Sequence, residues 1–204
     1  MGSVLTGIAA EKFNEWTSGL SSKDAAITVF KEIRDIPYYI DMEQFDLDKG
    51  PAGMLHSGRG SCFPKHYLLG GMLREIGFGI EYSVYPFYWK DQNMAMPEKV
   101  KYYIKKIPVT YHVACRMLSE KRWITVDATW NRVLAGAGFH INENWNAKDD
   151  TELAVIPDDE IKVKDAKRAA ELVRQKFATY TLGERLELSR FTIEFNRWME
   201  QIGK

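Results

Sequence analysis

Cysteine is scarce in this sequence, which contains only Cys62 and Cys115 in 204 residues. Two cysteines cannot build the disulfide framework of a small secreted protein, so a reduced, cytoplasmic setting is the simpler interpretation. An excess of charge of one sign is also missing, because 28 lysines and arginines balance 28 aspartates and glutamates. A chain without net charge has no bulk attraction for nucleic acid or for an anionic membrane surface, and we predict neither as a partner.

Long apolar runs are absent as well. No segment approaches the roughly 18 to 20 consecutive apolar residues that cross a bilayer, and the N-terminus lacks the basic and apolar regions of a secretory signal. Residues 1–6 fit the loose pattern for N-myristoylation, which is weak evidence. Hydrophobic residues nevertheless make up 45% of the chain and aromatic residues 13%. We therefore predict a globular protein with a sizeable core.

The most informative segment runs from Gly58 to Phe78. A loop with glycines leads to Cys62, and Pro64 suits the first turn of a helix, where a missing N–H costs no hydrogen bond. Apolar residues at helical spacing follow, and then a glycine that can end the helix: Leu68, Leu69, Met72, Leu73, Ile76 and Gly77. A helix N-terminus favours negative charge, so it stabilises the reactive thiolate. We therefore predict that Cys62 is a nucleophile.

A β-hairpin is predicted where strand-like residues 109–118 and 122–127 flank a short polar connection. A two-residue turn at Ser119-Glu120 would place His112 opposite Asp127, with Cβ atoms about 4.5–5.5 Å apart. A four-residue turn would place His112 opposite Thr129, with Asp127 as a diagonal neighbour about 7–8 Å away. Both registers put His112 and Asp127 on the same side of the sheet, because side chains alternate along a strand. The opposite side is the predicted core face: Val113, Cys115, Met117, Ile124 and Val126.

The remaining segments predict an α+β chain. Helical spacing predicts helices over residues 4–20, 25–33, 98–106, 165–180 and 186–202, and strand formers predict strands over 80–87 and 153–156. Residues 46–60, 90–97 and 131–146 are predicted loops, and whether the last two cover a cleft stays open. We predict a single domain over residues 1–204, with a core at about 46–157 and a C-terminal helical extension at 158–204.

The last predicted helix has an apolar stripe formed by Leu188, Phe191, Phe195, Trp198 and Ile202. Such a stripe has to be covered. It packs either within the chain or against a second copy in a homodimer, and the sequence leaves both arrangements open.

Cys62, His112 and Asp127 together supply the parts of a thiol-nucleophile triad. In such a triad the thiolate attacks a carbonyl, and the imidazole holds the proton and returns it to the leaving group. The carboxylate fixes the tautomer of the ring and supports its positive charge. Residue identity alone would favour an inert core residue for Cys62. Its position at a helix start and the hairpin geometry favour the nucleophile.

These segments resemble the transglutaminase-like superfamily. Gly60-Ser61-Cys62 and the apolar helix that follows are similar to the nucleophile segment of that superfamily. Residues 111–114 and 123–130 are similar to its histidine and aspartate segments, and the three segments occur in the order of the family. The resemblance covers about residues 46–130.

The resemblance implies a papain-like α+β fold, in which the nucleophile lies at a helix N-terminus packed on an antiparallel sheet. N- and C-terminal helices are added to that core. It also implies Cys62 as nucleophile, His112 as base and Asp127 as orienting acid. The chain departs from the family directly after the cysteine, where many members carry an acidic or polar residue and Phe63 and Pro64 stand here.

Fold does not settle the reaction, because the superfamily includes protein cross-linkers, deamidases, proteases and peptide-N-glycanases. A chain of 204 residues lacks room for the extra β-domains of the animal cross-linking enzymes. We expect hydrolysis of an amide or peptide-like bond through a thioester acyl-enzyme, on a peptide, a protein or a small amide. Acyl transfer to an amine is the second expectation. A non-catalytic peptide-binding module on the same scaffold is the third, and a helical interaction protein is the fourth.

Three further residues are candidates for contacting the substrate or its oxyanion. Tyr111 and Trp130 adjoin triad positions and are expected to form walls of a groove. His66 lies about one helical turn after Cys62, so it either contacts the site or is a partly exposed helix residue, which is the commoner case. No motif identifies a side-chain oxyanion donor, and the backbone N–H of Cys62 is the donor that the sequence indicates.

A zinc site is a further hypothesis for the same residues. Zinc bound by Cys62, His66, His112 and Cys115 would lack the close Cys-x-x-Cys spacing that makes such assignments strong. We therefore predict neither a metal nor an organic cofactor.

Overall fold

The structure is a computed structural model that describes residues 5–203. This range contains seven α-helices: α1 Ile8–Thr17, α2 Ser22–Asp35, α3 Gly50–Ser57, α4 Cys62–Ile76, α5 Glu98–Ile104, α6 Ala166–Ala178 and α7 Leu182–Ile202. It contains four strands: β1 Ile80–Phe87, β2 Thr110–Ser119, β3 Arg122–Val126 and β4 Ile161–Val163. The predicted α+β class with helices at both ends is confirmed. None of these helices is long and apolar enough to cross a membrane.

Two predictions at the N-terminus fall on residues 1–4, which lie outside the described residues. They are the start of the first helix at Val4 and most of the myristoylation pattern.

The sheet is antiparallel, with strand order β3-β2-β1-β4. Ser119 pairs with Arg122, so the hairpin turn consists of Glu120 and Lys121. Both have positive φ, 47° and 71°, as the central residues of a tight I′ hairpin turn require. Of the two predicted registers, the structure has the offset that sets His112 opposite Thr129. The turn at this offset contains two residues and not the four that were expected for it. Glutamate and lysine rarely adopt such backbone angles, so the residue types at this position do not indicate a turn.

Helix α4 is the centre of the molecule. It packs against α2 and against β2, and every residue from Cys62 to Leu73 is buried. Gly70 lies where the helix crosses β1, and a Cβ at this position would overlap the hydroxyl of Tyr82. The predicted core face of the hairpin is confirmed, since all five of its side chains are buried: Val113, Cys115, Met117, Ile124 and Val126. A helix covered on all sides explains why its apolar residues are not confined to one stripe.

Helix α7 forms the middle of a second apolar cluster. Phe195 contacts the rings of Trp89, 4.8 Å away, and Tyr38, 6.1 Å away. The apolar stripe of this helix is buried within the chain, as shown by Phe191, Phe195 and Trp198. The helix predicted at the C-terminus therefore packs this stripe against the rest of the same protein. A homodimer through these helices stays a prediction.

Two predicted segments were wrong. Residues 46–60 contain α3, and residues 153–156 are irregular rather than a strand. The backbone of this irregular segment pairs with side chains instead of a neighbouring strand, as when Ile156 N–H donates to Gln92 Oε1 over 2.7 Å. The fourth strand is instead Ile161–Val163, which pairs with β1. Three residues are too few to show an alternating pattern, so periodicity could not find it.

Candidate functional site

Cys62 is the first residue of α4, and Ser61 before it has extended backbone angles. The first turn of any helix leaves N–H groups without an intrahelical acceptor. The Ser61 side chain accepts none of them, and Pro64 has no N–H to satisfy. Backbone donors and the positive end of the helix are therefore concentrated at Cys62. Its side chain is buried, since only 5% of the residue is exposed.

His112 and Asp127 form a buried pair. His112 Nε2 and Asp127 Oδ2 are 2.8 Å apart, and both residues are almost fully buried. Burial by itself would lower the pKa of His112, but the charges of Asp127 and Cys62 and hydrogen bonds with both side chains raise it to about 10. Burial would raise the pKa of Asp127, whereas the His112 imidazolium holds it well below its usual range. Because Asp127 engages Nε2, Nδ1 is the ring nitrogen that remains for another partner.

The carboxylate of Asp127 is held by further donors. Thr129 donates to Oδ1 from both its N–H, at 3.0 Å, and its hydroxyl, at 2.6 Å. Ala154 N–H donates to Oδ2 over 2.8 Å. An ionised carboxylate accepts hydrogen bonds and cannot donate them, so this set of donors favours the charged form. The segment wrongly predicted as a strand therefore contributes a backbone donor to the site.

His66 is buried, so the expectation of a partly exposed helix residue is wrong. Its Nδ1 lies 2.8 Å from the carbonyl oxygen of Cys62, and its Nε2 accepts from Ala128 N–H at 3.0 Å. The carbonyl can only accept and the amide can only donate, which fixes the proton on Nδ1. Burial lowers the pKa of His66, in agreement with a neutral ring. His66 therefore ties the start of α4 to the residue that follows Asp127.

Lys65 is a fully buried lysine that the sequence interpretation missed. Its Nζ donates to the carbonyls of Arg34, at 2.9 Å, and Thr129, at 2.8 Å. Burial lowers the pKa of Lys65 to about 7, although the charges of Asp35 and Asp127 act in the opposite direction. The ammonium joins the end of α2 to Thr129, whose N–H and hydroxyl hold Asp127. The only indication of this role in the sequence was a lysine within a run of helix positions whose other residues are buried.

Cys62 and His112 line the same cavity. The remaining lining residues are Tyr38, Ile40, Met42, Phe45, Ser61, Phe63, Phe87, Trp89, Thr110, Tyr111, Thr129, Trp130, Val155, Phe177, Leu188, Phe191 and Thr192. Helices α6 and α7 and the segment around Met42 thus contribute to the wall, which the sequence did not indicate. Residues 90–97 and 131–146 supply none of it.

The three substrate-contact candidates have different positions. Tyr111 and Trp130 line the cavity, and His66 does not. The indole N–H of Trp130 already donates to the carbonyl of Ala154 over 3.0 Å, so it is not a free donor for a substrate oxygen. Ser61 Oγ, by contrast, is buried and has no hydrogen-bond partner in the described part of the chain.

Within residues 5–203, no group of three or more His, Cys, Asp or Glu side chains is placed to hold a metal ion. Cys115 is buried in the core, where its thiol donates to the carbonyl of His66 over 3.2 Å. Comparison with known proteins adds no family: no protein-family model matches the chain, and a search of curated proteins gives no significant match.

Proposed function

We propose that this protein is a cysteine-nucleophile enzyme with a papain-like arrangement of Cys62, His112 and Asp127. Within that class we propose an amide hydrolase that works through a thioester acyl-enzyme. One observation carries the proposal: the buried 2.8 Å bond between His112 and Asp127 lies at a cavity that Cys62 also lines. An imidazole fixed by a carboxylate beside a thiol is the arrangement that activates a sulfur nucleophile.

The proposed reaction begins with attack of Cys62 Sγ on the substrate carbonyl. A C–S bond forms, and the carbonyl π electrons move onto oxygen. His112 then gives its Nδ1 proton to the leaving nitrogen as the C–N bond breaks, which leaves a thioester. Water attacks the thioester and loses a proton to His112, and the acid leaves as the thiolate reforms. Asp127 holds the ring through Nε2 in both steps, so Nδ1 stays directed to the sulfur.

The oxygen that becomes negative during attack needs donors. The N–H of Cys62 is one, because it belongs to the first turn of α4. We assign the hydroxyl of Ser61 as the second, since it is buried, belongs to a residue that lines the same cavity and has no partner within residues 5–203. Donors fixed in advance at a developing oxyanion make a large contribution to many acyl-transfer reactions.

Alkylation with iodoacetamide tests the activated thiol. Cys62 should react at about pH 7 at least about tenfold faster than Cys115, because burial raises the pKa of Cys115 and keeps its thiol protonated. His112→Gln should slow labelling of Cys62 about tenfold or more, whereas His140→Gln changes an exposed histidine and should have no effect. Equal labelling in wild type and His112→Gln would refute activation by the imidazole.

Turnover of an activated ester such as p-nitrophenyl acetate tests the acyl-enzyme. We expect a burst of p-nitrophenol in wild type and none in Cys62→Ala. Adding a primary amine separates hydrolysis from acyl transfer, because a transferase would form the amide at the expense of the acid. A fully folded wild-type protein without a burst, and with unreactive Cys62, would favour the non-catalytic binding module.

A further inference from the structure

The cavity beside Cys62 has an uncharged lining. Apart from His112 and the thiol itself, its walls are aromatic rings, aliphatic side chains and hydroxyl groups, and no Asp, Glu, Lys or Arg of the described residues contributes to it. The aromatic side chains around it are largely buried, among them Phe63, Phe87, Trp89 and Phe191. A charged group that entered would lose its water without gaining a partner, which is strongly unfavourable. An apolar group would lose contact with water and gain stability.

The cavity is also small. The centres of water molecules could occupy about 50 Å³ of it. The free space is therefore narrow, and a short unbranched chain fits it better than a large ring system does.

One side of the cavity is a partly exposed rim. Met42, Phe177, Leu188 and Thr192 line the cavity and also a groove along α6 and α7. By the same measure the groove is about 520 Å³, ten times larger than the cavity. The larger part of a substrate therefore has room outside the rim, and a short part lies inside beside the sulfur.

We propose that the substrate presents a short, slender and uncharged apolar chain to this cavity, next to the reacting carbonyl. This inference rests on the proposed function and names the substrate class of that site. It sets the site apart from one that recognises a charged amino-acid side chain next to the reacting bond.

A series of N-alkyl iodoacetamides from N-methyl to N-octyl tests the cavity without requiring turnover. Cys62 Sγ displaces iodide from each reagent, so that a C–S bond forms as the C–I bond breaks. The rate for Cys62, in a Cys115→Ser background, is divided by the rate for 2-mercaptoethanol with the same reagent. We expect about a fourfold rise for each CH₂ added to the shorter chains, followed by a plateau or a fall before N-octyl. An N-(2-carboxyethyl) reagent should react no faster than the N-methyl one.

Substitutions at the rim give a second test. Met42 is half exposed, so its replacement should leave the fold intact. Met42→Ala should move the preferred chain to longer reagents, and Met42→Trp should reduce the rates of the longer reagents at least about fivefold relative to N-methyl. Leu182→Ala changes an exposed residue at the start of α7 that does not line the cavity, and it should leave the series unchanged. A flat series in wild type, or identical series in both Met42 variants, would overturn the proposal.

The same proteins separate the two proposals. Hydrolysis of p-nitrophenyl butyrate and p-nitrophenyl acetate should favour the butyrate in kcat/KM at least about tenfold. Turnover that depends on Cys62 but shows no preference for chain length, in alkylation or hydrolysis, refutes the apolar-chain inference and leaves the hydrolase. Alkylation that depends on chain length without any turnover refutes the hydrolase and keeps the apolar cavity.

Discussion

Among single residues, Ser61 is the proposed second donor to the oxyanion. Its hydroxyl is buried without a hydrogen-bond partner among the described residues, which is an unfavourable state unless a ligand supplies the partner. Ser61 is also the N-cap of α4, yet its side chain does not cap the helix. Serine usually does so in that position. The free hydroxyl therefore has a cost to stability that a substrate oxygen would remove.

Replacing Ser61 by alanine should separate catalysis from stability. We expect Ser61→Ala to lower kcat for ester hydrolysis about 10²-fold, as loss of one oxyanion donor does elsewhere, with little change in KM. The midpoint of urea unfolding should stay the same or rise, because no internal hydrogen bond is lost. Alkylation of Cys62 should be unchanged, since the thiol does not use this donor. Ser189→Ala, an exposed serine on α7, is the control, and an unchanged kcat in Ser61→Ala would exclude the hydroxyl as donor.

We expect His66 to contribute to the stability of the fold and not to contact the substrate. His66→Phe keeps a ring of similar size but leaves the Ala128 N–H unpaired in the interior. The Cys62 carbonyl loses the imidazole donor but keeps its bond within helix α4. One unpaired buried group costs about 1–3 kcal/mol, so the free energy of unfolding should fall by about that amount in urea titrations. His140→Phe removes an exposed imidazole instead and should change it by less than about 0.5 kcal/mol. A His66→Phe protein as stable as wild type would contradict the proposed link.

At the residue scale, the sequence indicated the three residues of the proposed triad and missed the groups that hydrogen-bond around them. The proximity of His112 and Asp127 could be predicted because strand alternation puts both side chains on one side of the sheet. The helix start at Cys62 could be predicted because Pro64 suits a first turn. Ala154 acts through its backbone N–H, and a backbone donor leaves no trace in residue type. Lys65 looked like an ordinary polar helix position, because nothing local shows that both sides of α4 are covered.

At the scale of elements, α4 approaches the sheet closely at only one of its two adjacent glycines. A Cβ at Gly70 would overlap the hydroxyl and ring of Tyr82. A Cβ at Gly71 would meet only Leu5 Cδ2, the far end of a flexible side chain, at 3.1 Å. The two positions otherwise share the same helix and the same burial.

Alanine substitution at these glycines should therefore have different effects. We expect Gly70→Ala to reduce the free energy of unfolding by about 1–3 kcal/mol, because the helix or Tyr82 must shift. Gly71→Ala should change it by less than about 1 kcal/mol in either direction, because the gain in helix propensity offsets a small contact. Thermal and urea unfolding of both variants provide the measurement. Equal effects would show that the helix tolerates a side chain at the crossing with β1.

The elements that could be predicted from the sequence are those with enough residues to show a period. Helices α2, α4, α6 and α7 and strands β1, β2 and β3 each have a pattern or a cap that marks them. Strand β4 has three residues, and α3 follows a lysine whose side chain does not cap it. The sequence left two hairpin offsets open, because Glu120 and Lys121 adopt angles that usually belong to glycine or asparagine.

At the scale of the whole molecule, the site is assembled from distant parts of the chain. The cavity takes residues from the segment before α3, from α4, from β2 and from α6 and α7. The C-terminal helices are therefore part of the wall of the site, and deleting them would remove Phe191 and Phe195 from the second cluster as well. A deletion cannot separate an enzyme from a helical interaction protein, whereas single substitutions at Cys62 and Ser61 can.

Two buried groups should give the folded protein opposing responses to pH. The pKa of His112 is raised to about 10. Its stabilising contribution is complete below its unfolded value of about 6.5 and is lost as the pH rises through about 10. The pKa of Lys65 is lowered to about 7, so its burial costs most at low pH. That cost is relieved as the pH rises from about 7 to about 10.4.

Between about pH 7.5 and about pH 9 the two contributions therefore have opposite slopes, each up to about 1.4 kcal/mol per pH unit. In His112→Gln only the contribution of Lys65 remains. The free energy of unfolding should therefore rise with pH relative to wild type. Removing the buried amino group as Lys65→Met should leave the histidine, so the free energy of unfolding should fall with pH relative to wild type. Urea titrations across this range test both signs, with Lys105→Met as an exposed control whose curve should run parallel to wild type. Parallel curves for all three variants would mean that neither buried group changes its proton affinity on folding, and the pairing of His112 with Asp127 would then not be maintained in solution.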